Sequence, residues 1–465
     1  MIIRRVEISK LVRMRYDVSF YQERFDYSSQ IYPTYELGDI LYINPSVTFS
    51  ELTDNDVISY VPMEAIDERY GVISSAKNIT VANTKGYTKF KEGDLLWAKI
   101  TPCMQNGKSA IAQNLLKGVG CGSTEFFVLR PKSSNVLIKY IHFILRDYRV
   151  LKSAQNSFGG SAGQQRVSSS YLKTIRIPLP PIEIQQKLVD IYTAAQNAKL
   201  QKDKEAKELL ESIDDIVTQH LGIKLPERSD FSETKYFTPI SKLIGQRYDP
   251  YFHNPYFEKA FAELAQSKYP LKKLGDISIL ITSGITPKAG GDAYTDSQNG
   301  IAFIRSGDID INGNINFEEL LYIKPEVHNK QMKSSKVYDN DIMIAIVGAT
   351  IGQVGIYHSE KEANINQAIA LVRLKDGYNP EYVKELIKSS IGQLNLDRLK
   401  RPVARANINL EEIASILIPI PEKIEVQTAI AKEIHEIRVK ADAIKNEGSL
   451  IIDKAKATIE KMILG

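Results

Sequence analysis

The chain repeats itself, and that repetition constrains its fold more than any other feature. Residues 8–20 read ISKLVRMRYDVSF, and residues 240–252 read ISKLIGQRYDPYF. YPTYELGDI, which begins at Tyr32, is answered by YPLKKLGDI from Tyr269. SYVPMEAI (59–66) is matched in pattern by AFIRSGDI (302–309), and FKEGDLLWAKI (90–100) by VYDNDIMIAIV (337–347). IPLP (177–180) is matched by IPIP (418–421), followed by I-E-I-Q (182–185) and I-E-V-Q (424–427), and both copies close on Leu-Gly, at 221–222 and 464–465. The order is kept throughout, at an offset of about 240 residues, so the chain is two copies of one structural unit.

Each copy begins with short β-rich runs broken by Gly, Asn and Asp turns. TKFKEGDLLWAKI, EFFVLRP, KVYDNDIMIAIVG and QAIALVRL are strand-like. Helical stretches follow near 136–147 and 381–389, then a short strand ending in Pro, then one long helix. The first long helix is predicted over about 181–220, with Pro181 in its first turn and Gly222 as its stop. The second is predicted over about 422–464. The apolar stripe of the first is Ile184, Leu188, Ile191, Ala195 and Ala198, resuming at Leu209, Ile213 and Ile216 after a polar middle. That of the second is Ile430, Ile437, Ala441, Ile444, Ile451, Ala455, Ile459 and Met462, with Gly448 inside it. So narrow a stripe over about forty residues is a coiled-coil seam, and at 1.5 Å per residue it gives a rod of about 60 Å. Neither rod has a partner within its own copy, and the chain must return along the first to place the second. The expected fold is therefore mixed α+β: two tandem globular heads separated by two long helices forming an antiparallel coiled coil, a pseudo-twofold internal duplication. The expected segments are a head at 1–176, a spacer helix at 177–222, a second head with its linker at 223–417 and a second spacer at 418–465.

Composition narrows the function by exclusion. Sixty Lys and Arg against 56 Asp and Glu leave a net charge of +4, which excludes a polycation but allows a local basic groove. Two cysteines, Cys103 and Cys121, cannot form a disulfide framework. No apolar run reaches about 18 residues, and the N-terminal sequence is charged within its first residues, so a cytoplasmic location is expected. Catalytic motifs fail on their spacing. Gly107-Lys108-Ser109 lacks the upstream Gly of a phosphate loop, because position 102 is Pro and position 103 is Cys. GATIGQVG (348–355) runs into another apolar stretch and reads as a β-turn. Asn254-Pro255-Tyr256-Phe257 is absent from the twin segment and has no Gly-rich cofactor motif before it. The six histidines show no metal-ligand spacing, and no Ser/His/Asp arrangement can be assigned.

A two-fold architecture without a catalytic signature points to recognition of a long, pseudo-symmetric ligand. Duplex DNA is one, with half-sites on one face recurring every ~34–36 Å. The heads carry side chains suited to it. In the first head these are Lys99, Thr101, Gln105, Asn106 and Lys108 in one loop, and Gln164, Gln165 and Arg166 in another. In the second they are Lys288, Arg305 and Ser306, then Arg398, Lys400, Arg401, Arg405 and Asn407 in DRLKRPVARANIN. Arg, Asn and Gln read guanine and adenine edges, and Lys and Arg hold phosphates. Like charges this dense repel unless an anion is near, which singles out the last cluster.

The order of head, I-P-L-P-P-x-E-x-Q-Q helix, head and I-P-I-P-x-x-x-E-x-Q helix resembles the specificity subunit of type I restriction–modification enzymes. LGDI, FKEGDLL, STEFFVLRP and INQAIALVRL resemble that family's target-recognition domains. One departure is the second helix start, one residue longer and with a single Gln. The resemblance implies a non-catalytic subunit whose two target-recognition domains each read one half of a bipartite, asymmetric duplex target. It implies helices that dock two modification (methyltransferase) subunits carrying S-adenosylmethionine, joined by restriction motor subunits that use ATP and Mg. A protein-only scaffold, a free-standing DNA methyltransferase or nuclease, and a methylation-only system are the rival readings.

Overall fold

The computed structural model describes residues 29–155, 157–158, 165–227, 235–244, 247–288, 291–401 and 406–465. The chain divides into two compact units, Met1–Asp203 with Lys445–Gly465, and Lys204–Ile444. Each long helix therefore gives one part to each unit.

The same sheets recur in both units. In the first, Leu41–Ile43, Phe126–Pro131, Leu95–Ala98 and Ser109–Ile111 lie side by side in that order, antiparallel throughout. In the second, Ser278–Ser283, Ile369–Leu374, Ile342–Ala345 and Val354–Ile356 repeat the arrangement. A second sheet in each unit holds one parallel pair, Val57–Val61 with Val119–Gly122 and Ile301–Ile304 with Ala363–Ile365. Thr88–Lys91 and Lys336–Val337 flank these pairs at equivalent places. A two-stranded ribbon closes each unit, Thr34–Glu36 with Arg176–Pro178 and Leu271–Lys273 with Leu417–Pro419. The central strands Leu95–Ala98 and Ile342–Ala345 are buried at every position. This is why LLWA and IMIA read as continuous apolar runs rather than alternating ones.

Two internal clamps are duplicated with the sheets. Asp94 accepts from Lys91 N at 2.7 Å in a tight turn and holds Arg130 through Nε and Nη2, both at 2.7 Å. Asp341 accepts from Tyr338 N at 2.8 Å and holds Arg373 at 2.8 and 2.6 Å. Tyr140 donates to Pro178 O at 2.8 Å and Tyr382 to Pro419 O at 3.0 Å, tying each head's helix to its closing ribbon.

The long helices span Ile182–Leu221 and Ile424–Leu464, the second starting two residues later than its sequence pattern suggests, within the usual scatter of helix ends. Their starts are set by a buried glutamine. Gln185, fully buried, accepts from Leu137 N and donates to Asn135 O and Pro180 O, all at 2.8 Å. Gln427 accepts from Asn379 N and donates to Pro421 O, both at 2.9 Å. Leu137 and Asn379 precede the first turns of the head helices Ile138–Leu145 and Pro380–Lys388, so one amide fastens two helix N-termini and satisfies one orphan backbone donor in each unit. The second glutamine of the first copy, Gln186, is exposed and donates to Asp190. Its counterpart Thr428 accepts from Asn379 Nδ2 at 3.0 Å. The single-glutamine departure therefore loses nothing that the clamp requires.

The helices pair antiparallel within each unit. In the second, Ala206 packs with Ala441 and Ile444, and His220 Nε2 lies 2.8 Å from Glu433 Oε2. In the first, Lys202 pairs with Glu447 at 2.9 Å, and Leu188 shares a core with Ile459 and Ile463. Of the expected seam, Leu188, Ile213, Ile430, Ile444 and Ile459 are buried. Ile184, Ile191, Leu209, Ile216, Ile437 and Ile451 are half-buried at its margins. Ala206 and Ile434, which the expected stripe passes over, lie inside it, as does Gly448, which the stripe included. A Cβ on Gly448 would stand 3.3 Å from Lys202 Cβ and 3.4 Å from Lys199 Cγ, so a side chain there would crowd the facing helix. Gly448→Leu should weaken this pairing by about 1–3 kcal/mol despite the better helix propensity of Leu. Thermal unfolding of the full chain checks it; an unchanged or raised Tm would contradict a close approach.

Among the described residues no helix is long and apolar enough to cross a membrane.

Candidate nucleic-acid interface

Between the strands Leu95–Ala98 and Ser109–Ile111 runs the loop 99–108. The fold lays the segment 165–167 against it. Thr101 N donates to Gln165 O at 3.0 Å, Val167 N to Lys99 O at 2.9 Å, and Gln165 N to Thr101 Oγ1 at 3.3 Å. Two loops that the sequence keeps far apart thus form one surface. On it, Gln105 and Asn106 are exposed, and Asn106 Nδ2 donates to Glu68 Oε2 at 3.3 Å. The Lys99 ammonium stands 5.6 Å from the centre of the Phe127 ring, and Lys108 Nζ donates to Met63 O at 3.4 Å. Arg166 forms a bidentate pair with Glu125, at 2.7 to 3.1 Å. The Arg166 hydrogen bonds hold the Glu125 carboxyl below its ordinary range. Gln164 lies outside the described residues.

In the second unit the structural counterpart of this loop is 346–353, between Ile342–Ala345 and Val354–Ile356. The segment 406–408 flanks it, with Gly348 N donating to Ala406 O and Ile408 N to Ile346 O, both at 3.0 Å. Asn407 is exposed beside it, in an isolated bridge to Val347. The loop GATIGQVG, which reads only as a turn, therefore occupies the place of KITPCMQNGK. Its exposed and half-exposed residues Ala349, Thr350 and Gln353 are ones that inspection for charged side chains does not find. The alignment of FKEGDLLWAKI with VYDNDIMIAIV already carried that signal.

The remaining candidates are placed as follows. Lys288 is exposed next to buried Pro287. Arg305 bonds Asp308 through Nε at 3.0 Å and Nη2 at 2.6 Å, opening the short turn Ser306–Asp308. The Arg398 guanidinium lies 4.1 Å from the Phe252 ring centre and 5.0 Å from that of Phe261, and its Nε donates to Phe252 O. Burial between the rings lowers its pKa. Lys400 faces Asp397 at 3.8 Å, and Arg401 bonds Glu412 at 2.9 Å. Each of these three cations has a partner within the protein, so their density needs no external anion to explain it. Arg405 lies outside the described residues. The NPYF tetrapeptide is a helix start: Asn254 Oδ1 accepts from Tyr256 N, Pro255 stands at the first helical position and Phe257 is buried.

One stretch has the spacing of a calcium loop: Asp308, Asp310, Asn312, Gly313 and Glu319. Two of its three carboxylates are otherwise engaged, Asp308 by Arg305 and Asp310 by Asn314. The Lys388 ammonium, whose pKa burial pushes down to about 8, donates to Asn312 O. The cation at this place is the protein's own. Among the described residues no group of three or more His, Cys, Asp and Glu is placed to hold a metal ion.

Two copies of one sheet framework, joined by paired long helices and carrying unlike loops at equivalent places, define a tandem α+β protein with two distinct loop-bearing faces. Its sequence matches the profile described as "Type I restriction modification DNA specificity domain" twice, over residues 32–211 and 266–449. The chain belongs to that family, as its helix starts suggested. It is 34% identical over 191 residues to the type I restriction enzyme EcoAI specificity subunit of Escherichia coli, a match covering 40% of this chain and 31% of that protein. It is 38% identical over 159 residues to the EcoEI specificity subunit of the same organism, covering 34% and 26%. The matches thus span less than a third of those curated relatives. The fold is shared with a chain in a solved structure described as the structural basis of complex assembly and conformational transition of the type I R-M system. That likeness has a TM-score of 0.53 at 16% identity, over 94% of this chain and 98% of the other.

Proposed function

We propose that this chain is the DNA sequence-specificity subunit of a type I restriction–modification complex and performs no chemistry itself. The observation that carries this reading is the pair of unlike loops, 99–108 and 346–353, mounted on one duplicated framework. A shared frame with unshared loops suits a bipartite target whose halves differ in sequence. Each unit reads one half, with Gln105, Asn106 and Thr350 among the side chains offered to base edges and neighbouring Lys and Arg to phosphates. The long helices dock two methyltransferase subunits, which bring S-adenosylmethionine. Motor subunits bring ATP and Mg, and this chain binds none of these cofactors. The complex works in the cytoplasm, where its duplex target lies. The methyltransferase must extrude its adenine from the stack, which takes a few kcal/mol. Anchoring by this subunit offsets that only at the right sequence.

Mapping methylated adenines in cells that express this chain with methyltransferase subunits of its family, and in cells lacking it, tests the reading. One split motif should appear with the chain and vanish without it. Replacing residues 1–175 by the corresponding head of another family member should change one half of that motif and leave the other. A change in both halves would end the assignment of one half to each unit. A protein-only scaffold predicts no duplex affinity even in the assembled complex.

A further inference from the structure

In each unit the next-to-last residue of the candidate recognition loop is a glycine in the left-handed region, Gly107 at φ 70° and Gly352 at φ 94°. Other residues adopt this conformation with strain, so the glycine fixes how the loop turns back into its strand. In both units the carbonyl of that glycine is captured by a side chain from a neighbouring helix. Arg146, at the end of Ile138–Leu145, donates through Nη1 to Gly107 O at 2.9 Å. Gln393, in Ser390–Leu399, donates through Nε2 to Gly352 O at 3.0 Å.

Each captor has a second hold on the framework. Arg146 Nη2 donates to Glu68 O at 2.8 Å and Arg69 O at 3.0 Å, in the turn of the hairpin Ile66–Asp67 with Val72–Ile73. Tyr70 of that turn donates to Asp203 Oδ2 on the long helix at 2.7 Å, and Gln196 of the same helix donates to Tyr70 O at 3.3 Å. Gln393 Nε2 also donates to Ile387 O at 3.0 Å. The loop ends are therefore fastened through one side chain to rigid helices.

The two captors are not relics of the duplication. Tyr140 and Tyr382 hold equivalent places, as their bonds to the closing ribbons show. At the same displacement from them, Arg146 corresponds to Lys388, which bonds Asn312 O instead. By the same displacement Gln393 corresponds to Leu151, which only abuts Gly107. The units hold the same carbonyl with different residues from different positions, so the latch itself is what both retain.

We propose that Arg146 and Gln393 are positioning residues for target recognition, each fixing one reading loop and so setting discrimination in one half of the DNA target without touching DNA. The proposal rests on the reading of this chain as a DNA specificity subunit. Discrimination requires reading side chains held to within about 0.5 Å, and a freed loop end lets them settle on a wrong base.

The test uses the full chain assembled with its methyltransferase subunits. Methylation rates are compared on duplexes bearing the cognate target and on duplexes changed by one base in either half. Arg146→Ala should lower discrimination about tenfold or more in the half read by the first unit and leave the other unchanged, since one mismatch is worth roughly that factor. Gln393→Ala should do the reverse. Arg146→Gln, a neutral amide like the one the second unit uses, should retain more discrimination than Arg146→Ala. Amide hydrogen exchange on the full chain should speed up over 104–108 in Arg146→Ala, with long-helix amides unchanged. Unchanged discrimination, an equal loss in both halves or unaltered loop exchange overturns the latch, provided the wild-type complex is selective. A wild-type complex that methylates without regard to sequence overturns the functional reading and the latch with it.

Discussion

Arg130→Met should destabilise the first unit by about 3–5 kcal/mol, the loss expected when one partner of a buried ion pair is removed. The side chain of Asp94 is only 2% exposed, and its two oxygens are held by the Arg130 fork. Without the guanidinium, a carboxylate remains in the core with, among the described residues, only the Lys91 N–H as a donor. Arg130→Met with Asp94→Asn should lose less than Arg130→Met alone, because the charge goes and the turn keeps its acceptor. The readout is selective. Trp97 is the only tryptophan in the chain, is buried, and sits in the first unit's core 6.3 Å from Phe127. Denaturant unfolding followed by its fluorescence reports this unit. The corresponding Arg373→Met should affect that transition less. If the double variant proves no better than the single one, an uncompensated charge is not the cause.

Gln185→Leu should cost about 3 kcal/mol or more, since it strands the Leu137 N–H and the carbonyls of Asn135 and Pro180, each worth ~1–3 kcal/mol when buried without a partner. Gln185→Glu should be worse still. It keeps the shape but sets a carboxylate against two carbonyl oxygens that need a donor. Gln186→Glu should fall within about 0.5 kcal/mol of the parent, being exposed. The same Trp97 unfolding curves separate the three variants. Equal effects at 185 and 186 would deny the clamp.

The I-P-L-P-P-x-E-x-Q-Q start thus has a physical reading that its resemblance to a family did not supply. The duplication, the long helices and the strand-bearing runs could be read from the chain because each leaves a local periodic or repeated signal. The parallel pairing of Val57–Val61 with Val119–Gly122 leaves none, since it joins segments with no turn between them. The interior of the seam was half legible. Large apolar residues and Gly448 marked its course, but Ala206, buried against Ala441 and Ile444, was passed over because it is small. In the interface, charge density drew attention to DRLKRP. The rings that cover Arg398 come from Phe252 and Phe261, distant in sequence, so only the fold shows how that charge is accommodated. The loop 346–353 was overlooked for the opposite reason: it is small and uncharged, and its position is declared by the repeat rather than by its composition.

The division of the chain also bears on its synthesis. Residues 204–444 hold everything the second unit needs in one uninterrupted stretch, whereas the first unit draws Ile459 and Ile463, both fully buried, from the far end. On the ribosome the later-made unit can close first. The earlier one must wait, its core open, for residues translated hundreds of codons afterwards, and a message truncated after residue 444 but before Ile459 yields a polypeptide whose N-terminal half is the part left unfinished.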